Sequence, residues 1–194
     1  MRILRYGEDN MLEAPLLLFG SPHPAGATAA LLRAYCHKED IPFHGSILFD
    51  AYKERPLPCI DCGYCKKNAG CSLADLGTLY KALERAAWVI FAAPVYNAGL
   101  PAPLKAVVDR MQVYYNARFS RGIRPPIAVP KKAVLLLTAG SERDYTSAVL
   151  EQLAPMFTVT NCKLHGAVCM SGLDRQPYTE ETIMHTLNRI PPLL

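Results

Sequence analysis

Short apolar runs alternate with longer segments of helical period along most of the chain. The runs hold few polar residues, which is typical of strands buried on both faces of a sheet. Strands are predicted at residues 14–19, 47–49, 88–93, 133–137 and 163–170. Apolar residues at helical spacing predict helices over 27–38, 76–83 with Asp75 as the cap, 104–111, 149–157 and 180–189.

Buried strands separated by helices indicate a parallel sheet that carries helices on both faces. Five such strands fit the flavodoxin order 2-1-3-4-5, a three-layer, doubly wound α/β fold that binds ligands beyond the carboxyl ends of its strands. We therefore predict a single flavodoxin-like domain over residues 1–194, because nothing in the sequence indicates a linker. Two stretches lack periodicity: a cysteine-rich insertion at about 51–74, and residues 116–131, which either cover the site or contact a partner.

Composition and charge exclude several classes of function. The 194 residues are 51% hydrophobic and 20% charged, and the net charge of +4 contains no dense Lys/Arg tract, so nucleic-acid binding is not expected. No apolar run approaches the ~20 residues of a membrane span. The first six residues are too few and too charged for a secretion signal. We predict a cytoplasmic protein without structural disulfides, so its seven cysteines need another explanation.

The first candidate site is the loop at 20–28, which connects a strand to a helix. Gly20 and Gly26 permit close backbone approach, Ser21 and Thr28 offer hydroxyl donors, and the free N–H groups of the helix favour an anion. The loop has no lysine, so it suits a monophosphate better than a magnesium triphosphate. The alternative is an ordinary turn, and His23 either reaches the anion or lies on the surface.

The second candidate loop follows the third strand, at 94–97. An extended Pro94-Val95-Tyr96-Asn97 segment can lay an aromatic ring and backbone amides along a flat ligand. Tyr96 is equally interpretable as a packing residue. After the fourth strand, Thr138-Ala139-Gly140 forms a third loop at the same edge.

Together these loops resemble the NADPH-dependent FMN reductase family of flavodoxin-like proteins. The matching motifs are Gly20-Ser21-Pro22, Gly26-Ala27-Thr28, Pro94-Val95-Tyr96, Leu104-Lys105 and Asp109-Arg110, in order over residues 14–172. Ala27 replaces the family's usual Asn, and Ala139 replaces one of its paired glycines.

The resemblance implies FMN as resident cofactor, NAD(P)H as a transient electron donor and a homodimer or homotetramer. It implies no catalytic side chain, because the cofactor carries the chemistry. The cofactor-binding residues that it implies are Ser21, Pro22, His23, Gly26, Ala27, Thr28, Pro94, Val95, Tyr96, Asn97, Thr138, Ala139 and Gly140.

A second constellation is C-x2-C-x2-C-x5-C, formed by Cys59, Cys62, Cys65 and Cys71. This spacing suits a [4Fe–4S] cluster, whereas zinc sites more often use two separate C-x2-C pairs. It resembles the compact motif of the iron–sulfur flavoproteins, a branch of the same family, although the acidic pair usual after the fourth cysteine is reduced to Asp75. A metal-free loop and a zinc site remain alternatives. Cys36, Cys162 and Cys169 are interpreted as buried packing residues.

Three functions follow from these patterns. With a cluster, the protein is an FMN-dependent electron-transfer oxidoreductase that relays electrons between FMN and the cluster, with a small molecule or a protein as redox partner. Without a cluster, it is an NAD(P)H-dependent FMN or quinone reductase. The third hypothesis is a non-redox binding module on the same fold, because fold alone does not determine function.

Overall fold

The computed structural model describes residues 14–192; residues 1–13, where the sequence predicts no secretion signal, and 193–194 lie outside the described part. Five strands form one sheet whose neighbouring strands are all parallel, in the order β2-β1-β3-β4-β5. The strands are β1 (Leu16–Phe19), β2 (Ile47–Asp50), β3 (Trp88–Pro94), β4 (Lys131–Thr138) and β5 (Cys162–Met170). The predicted flavodoxin-like α/β class is confirmed.

Helices cover both faces of this sheet. They are α1 (Ala27–Lys38), α2 (Ala51–Glu54), α3 (Tyr64–Lys67), α4 (Gly77–Arg85), α5 (Ala102–Asp109), α6 (Gln112–Phe119), α7 (Thr146–Val159) and α8 (Glu180–Leu187). Successive side chains of a strand point to opposite faces. Ile90 and Ala92 of β3 therefore pack with α1 and α8, while Val89 and Phe91 pack with α4 to α7. Within residues 14–192, no helix combines the length and apolar character that a bilayer span requires.

Two predicted elements around α5 have different bounds in the structure. The apolar spacing predicts one helix over 104–111, but α5 ends at Asp109 and α6 begins at Gln112. Because α6 continues to Phe119, the irregular stretch predicted from residue 116 begins only after this helix. Apolar spacing alone does not reveal such a break, since the residues on both sides of it face the same core.

The cysteine-rich segment also differs from the prediction. It contains two helices of a single turn, α2 and α3, where no periodicity indicates any. Asp75 does not cap α4, whose N-cap is Leu76. The Asp75 carboxylate instead pairs with Arg110 and accepts a hydrogen bond from the Leu57 N–H at 2.9 Å. A long-range ion pair thus replaces the local cap.

Candidate functional site

A cavity of about 220 Å³ lies at the carboxyl edge of the sheet, where the chain leaves β1 towards one face and β3 towards the other. We call it the sheet-edge cavity. Such a change of direction is where ligands bind in open α/β sheets. Its walls come from the loops after β1, β3, β4 and β5: Ser21, His23, Gly26, Ala27, Thr28, Pro94, Val95, Tyr96, Thr138, Ala139, Gly140, Leu173 and Asp174.

The first loop presents donors to this cavity. Gly26 is the N-cap of α1, and no side chain caps this helix end, so its first N–H groups remain available. The buried Ser21 Oγ accepts a hydrogen bond from the His23 N–H at 3.2 Å, which leaves the Ser21 proton free to be donated. His23 is exposed, and among the residues that the structure describes no lysine or arginine lines the cavity. The first loop can therefore hold an anion with neutral donors.

A buried hydrogen bond joins the first loop to the third. Thr28 Oγ1 and Thr138 Oγ1 lie 2.7 Å apart, and either hydroxyl can be the donor. One shared hydrogen bond uses only one of the two protons, so the other hydroxyl can still donate to a ligand. The pair fixes the start of α1 against the end of β4.

The second loop is a tight turn with Tyr96 at its start. Tyr96 and Gly99 exchange two backbone hydrogen bonds, at 3.0 and 2.9 Å. Between them, Asn97 and Ala98 have φ angles of 50° and 61°. Asn tolerates this left-handed region well, whereas Ala does so at a cost of roughly 1–2 kcal/mol. The turn leaves Tyr96 44% exposed beside the cavity.

Two predicted residues lie outside the walls of the sheet-edge cavity. Pro22 and Asn97 do not line it, unlike the other residues of the predicted set. Asn97 occupies the first left-handed position of the turn, a backbone conformation that asparagine tolerates well. This conformation is a structural reason for an asparagine at position 97. Contact between either residue and a ligand stays a prediction.

Leu173 and Asp174 line the cavity but are not among the residues predicted from the sequence. They follow β5, and backbone hydrogen bonds join Leu173 to Ala139 and Asp174 to Gly140, at 3.2 and 3.0 Å. The exposed Asp174 carboxylate lies where a Cβ on Gly140 would be, so a larger residue at 140 would require this side chain to move. The predicted fifth strand could have revealed these two residues, because the loop after it must emerge at the same sheet edge as the loops after β1, β3 and β4.

A second cavity, here called the cysteine cavity, is lined by all four predicted metal ligands, Cys59, Cys62, Cys65 and Cys71. Its other wall comes from the region around α6, including Arg110, Gln112 and Asn116. Gly63 and Gly70 have φ angles of 73° and 77°, so glycine is favoured at both bends of the loop. The cysteines in the described residues are all free thiols.

All four cysteines line the same cavity, but they are not gathered closely enough to bind one metal ion together. Within residues 14–192, no three His, Cys, Asp or Glu side chains are grouped closely enough to hold one metal ion. A single tetrahedral zinc ion needs that convergence. A cubane separates its thiolates more widely, because each thiolate binds a different iron. Four cysteine thiolates are the ligand set that a [4Fe–4S] cluster uses.

Hydrogen-bond donors reach two of these sulfurs. The buried Asn116 Nδ2 donates to Cys65 Sγ at 3.2 Å, and Ser120 Oγ donates to Asn116 Oδ1 at 2.9 Å, which fixes the amide. Cys62 Sγ lies 3.1 Å from Ser72 Oγ. The Ser72 hydroxyl and a backbone N–H of Tyr64 lower the pKa of the Cys62 thiol. The contacts of Cys62 favour its thiolate, which is the form that binds metal.

Arg110 ties the ends of the cysteine loop to the gap between α5 and α6. Its Nη1 donates to the Leu57 carbonyl at 3.3 Å and to the Asp75 carboxylate at 2.5 Å, and its Nη2 donates to the Leu73 carbonyl at 2.8 Å. Leu57 and Leu73 bracket the four cysteines in sequence. The loop is therefore closed by one side chain.

The other three cysteines are remote from this loop. Cys36 and Cys169 are buried as predicted, and burial raises the pKa of the Cys36 thiol to about 11. Cys162 is only half-buried, and its Sγ accepts a hydrogen bond from Thr160 at 3.3 Å. Cys162 is the first residue of β5, at the amino edge of the sheet, which explains its partial exposure.

Comparison with known proteins identifies relatives over most of the chain. The family described as NADPH-dependent FMN reductase matches residues 15–173. An iron-sulfur flavoprotein from Archaeoglobus fulgidus is 40% identical over 156 residues, which are 79% of this chain and 73% of the relative. An iron-sulfur flavoprotein from Methanosarcina thermophila is 32% identical over 92 residues, 47% of this chain and 44% of that protein.

Among solved structures, an NAD(P)H:quinone oxidoreductase from Methanothermobacter marburgensis superposes with a TM-score of 0.60 at 20% identity, covering 91% of both chains. An azoreductase from Bacillus anthracis gives 0.59 at 18% identity, covering 91% of this chain and 95% of its own. At these identities the likeness establishes the shared fold. The sequence match over residues 15–173 goes further: this chain belongs to the NADPH-dependent FMN reductase family.

Proposed function

We propose that this protein is an FMN-dependent oxidoreductase whose cysteine loop holds a [4Fe–4S] cluster that exchanges electrons with the flavin. The observation that carries the proposal is the sheet-edge cavity, where a lysine-free anion loop and the 94–96 segment meet at the turning point of the sheet. Family membership and the iron-sulfur flavoprotein relatives support the same cofactors.

The sheet-edge cavity fits FMN by the chemistry of its donors. The uncapped N-terminus of α1, with Ser21 and Thr28, suits the terminal phosphate. Pro94, Val95 and Tyr96 from one side, and Thr138, Ala139 and Gly140 from the other, then flank the ring. Neutral groups would hold the phosphate, so its retention would depend on backbone geometry.

The cysteine cavity fits a cluster by its set of ligands. Cys59, Cys62, Cys65 and Cys71 supply four thiolates. The Asn116 amide donates to one of these sulfurs, a contact of the kind that tunes cluster potentials.

This chain's residues bind, orient and shield the groups that react. Bound FMN supplies transfer of one or two electrons, and a cluster supplies transfer of one. Tyr96, which is 44% exposed, and the exposed Asp174 line the sheet-edge cavity, and NAD(P)H would approach the flavin past these side chains. The described residues that line this cavity position the cofactor, which carries the chemistry.

The second candidate function is a cluster-free NAD(P)H-dependent FMN or quinone reductase. The observation in its favour is the exposure of Tyr96 and His23 at the cavity mouth, which leaves room for a second small molecule. This alternative uses the same flavin site and leaves the cysteine cavity without a redox role.

A homodimer or homotetramer is part of the proposal. On α6, the centroids of the exposed Tyr115 and Phe119 rings lie 4.6 Å apart with the rings tilted by 41°, and Ile123 nearby is 44% exposed. Apolar side chains grouped in this way are typical of surfaces buried between subunits. Light scattering of the holoprotein tests the assembly; the cytoplasmic location stays a prediction from the sequence.

The deciding experiment is purification without air, followed by an absorbance spectrum, flavin quantification and iron analysis. We expect flavin bands with a broad brown shoulder and about four irons per chain. Flavin without iron would support the cluster-free reductase, and colourless protein that gains no colour with FMN would overturn both. Stopped-flow mixing with NADH and with NADPH then tests the donor: bleaching of the flavin by neither contradicts NAD(P)H dependence.

A further inference from the structure

Arg110 is one of the largest fully buried side chains of the described structure, with 1% of its surface exposed. A guanidinium is expensive to bury, because five N–H donors and a charge must be satisfied without water. Its two Nη groups make three hydrogen bonds, yet its buried Nε has no partner among the described residues. Arg110 also lines the cysteine cavity. A buried, unpaired donor at a cavity wall is therefore available to whatever fills the cavity.

The charge of Arg110 is only partly balanced. Its partner Asp75 is 26% exposed, whereas the arginine side chain is 1% exposed, so the anion lies nearer to solvent and the cation nearer to the interior. Water screens the exposed carboxylate more than the buried guanidinium. The exposed Lys66 and Lys67 of the same loop are screened as well. Among the described residues that line the cysteine cavity, Arg110 is thus the main source of positive potential.

The hydrogen bonds of Arg110 also hold the loop closed. They fix the carbonyls of Leu57 and Leu73, two residues before Cys59 and two residues after Cys71. The four ligands therefore belong to a closed loop whose ends meet at one guanidinium. Closing the loop in advance lowers the entropy lost when the ligands gather.

We propose that Arg110 is a positioning residue for the centre bound by Cys59, Cys62, Cys65 and Cys71: it closes the loop around the cavity, and its charge and free Nε–H raise the reduction potential of that centre. The inference rests on the cluster of the proposed function. Electrostatics supplies the sign, since a cation near a cluster favours the reduced state, which carries one more negative charge.

The test compares wild type, Arg110→Gln, Asp75→Asn and Lys67→Gln, each reconstituted with iron and sulfide without air. The midpoint potential of the cluster is measured by redox titration, and iron loss is timed against a chelator. Arg110→Gln is expected to lower the potential and to weaken iron retention about 10- to 100-fold. Asp75→Asn removes the anion and keeps the arginine, so its potential should rise. Lys67→Gln removes an exposed charge of the same loop and should shift the potential least.

The opposite signs separate an electrostatic role from a merely structural one, because general loosening of the loop would move both variants in the same direction. FMN content serves as the check on folding in every variant. If Arg110→Gln does not fold, the sign of the Asp75→Asn shift still decides the proposal. An iron-free wild type would overturn the proposed function and this inference together. An iron-loaded wild type with unchanged Arg110→Gln, or with a lowered potential in Asp75→Asn, would overturn this inference alone.

Discussion

The sheet-edge cavity and the cysteine cavity are built in different ways. Loops at the sheet edge are fixed by backbone hydrogen bonds to the sheet, such as Gly20 N to Ala92 O at 2.8 Å and Val95 N to Thr138 O at 2.8 Å. The cysteine loop joins no strand. Side chains hold it, chiefly Arg110 with Asp75, and Asn116 of α6.

Because of this difference, we expect the two cavities to respond differently to mutation. A site made by the ends of parallel strands persists as long as the sheet forms, because topology places its loops together. A site made by a few side-chain contacts depends on each of them, since loss of one partner leaves a buried charge or amide unpaired. Changes at the cysteine cavity should therefore be local, while changes at the sheet edge should couple binding to stability.

The largest expected effect is at the cysteine cavity, in Cys65→Ser. Cys65 is a proposed ligand and receives the Asn116 amide, so iron binding should fall by more than the ~10- to 100-fold typical of losing a supporting contact. FMN content should remain at the wild-type value. Iron and flavin are measured on the same sample, with Cys162→Ser as the control that keeps its iron. Equal loss of FMN and iron would contradict the independence of the two cavities.

The next effect couples the sheet edge to the core, in Gly20→Ala. A Cβ at Gly20 would lie 2.7 Å from Cδ2 of the buried Leu104, so the end of β1 or α5 must shift. Overpacking of this kind costs about 1–3 kcal/mol in free energy of unfolding, and FMN affinity should fall with it. Denaturant unfolding of the apoprotein measures the change.

Gly77→Ala is the matched control for that variant. Gly77 is helical, and a Cβ there would meet nothing within 4 Å. The substitution should raise the free energy of unfolding by about 0.4–1 kcal/mol, because it restricts the unfolded chain. If both glycine variants lose the same stability, close packing at Gly20 is not the cause.

A smaller effect is expected for Thr28→Val, which keeps the shape and removes the hydroxyl. The change breaks the 2.7 Å contact with Thr138 and removes a phosphate donor. One such hydrogen bond contributes about 0.5–1.5 kcal/mol, so FMN affinity should fall by up to about tenfold. Fluorescence titration of the apoprotein with FMN checks it, with Thr158→Val at the exposed face of α7 as the control. An unchanged affinity of Thr28→Val for FMN would show that the Thr28 hydroxyl does not contribute to FMN binding.

The smallest expected effect is a pH dependence at Asp144, beside the third loop. Partial burial raises the pKa of its carboxyl, but hydrogen bonds from Thr146 and the Arg189 guanidinium outweigh burial and leave the pKa below its usual value. A lowered pKa in the folded state means stability that is present above about pH 4 and is lost as the pH falls through the folded pKa. Asp144→Asn should remove this dependence.

The exposure of Asp144 limits the size of the effect. Because Arg189 and Asp144 are both about half exposed, the loss at pH 7 should be only roughly 0.2–1 kcal/mol. Unfolding of the apoprotein at pH 7 and at pH 3 measures it. Asp75→Asn provides the comparison, since Asp75 also has a lowered pKa and pairs with a buried partner. We expect Asp75→Asn to lose more free energy of unfolding than Asp144→Asn, and a larger loss in Asp144→Asn would contradict this order.

The residues differ in how well the sequence predicted them. The strand order follows from the apolar runs, and most of the residues that line the sheet-edge cavity follow from loop motifs that resemble the family's. Both are patterns of neighbouring residues. The prediction that Asp75 caps a helix was wrong. The Asp75 carboxylate pairs with Arg110, which is 35 residues away in sequence, and no local pattern reveals that contact. Leu173 and Asp174 were missed for a related reason: their contacts to Ala139 and Gly140 arise from the pairing of β4 with β5.

The sequence by itself determined the alternation of buried strands and helices, the glycine-bearing loops at their ends and the spacing of four cysteines. Each of these features depends on residues close together in the sequence, because hydrophobic periodicity and the backbone conformations open to glycine are local properties. Only the tertiary structure decided that Thr28 meets Thr138 and that Arg110 closes the cysteine loop. Those contacts join residues far apart in the chain, so they exist only once the packed sheet and helices bring them within hydrogen-bond distance.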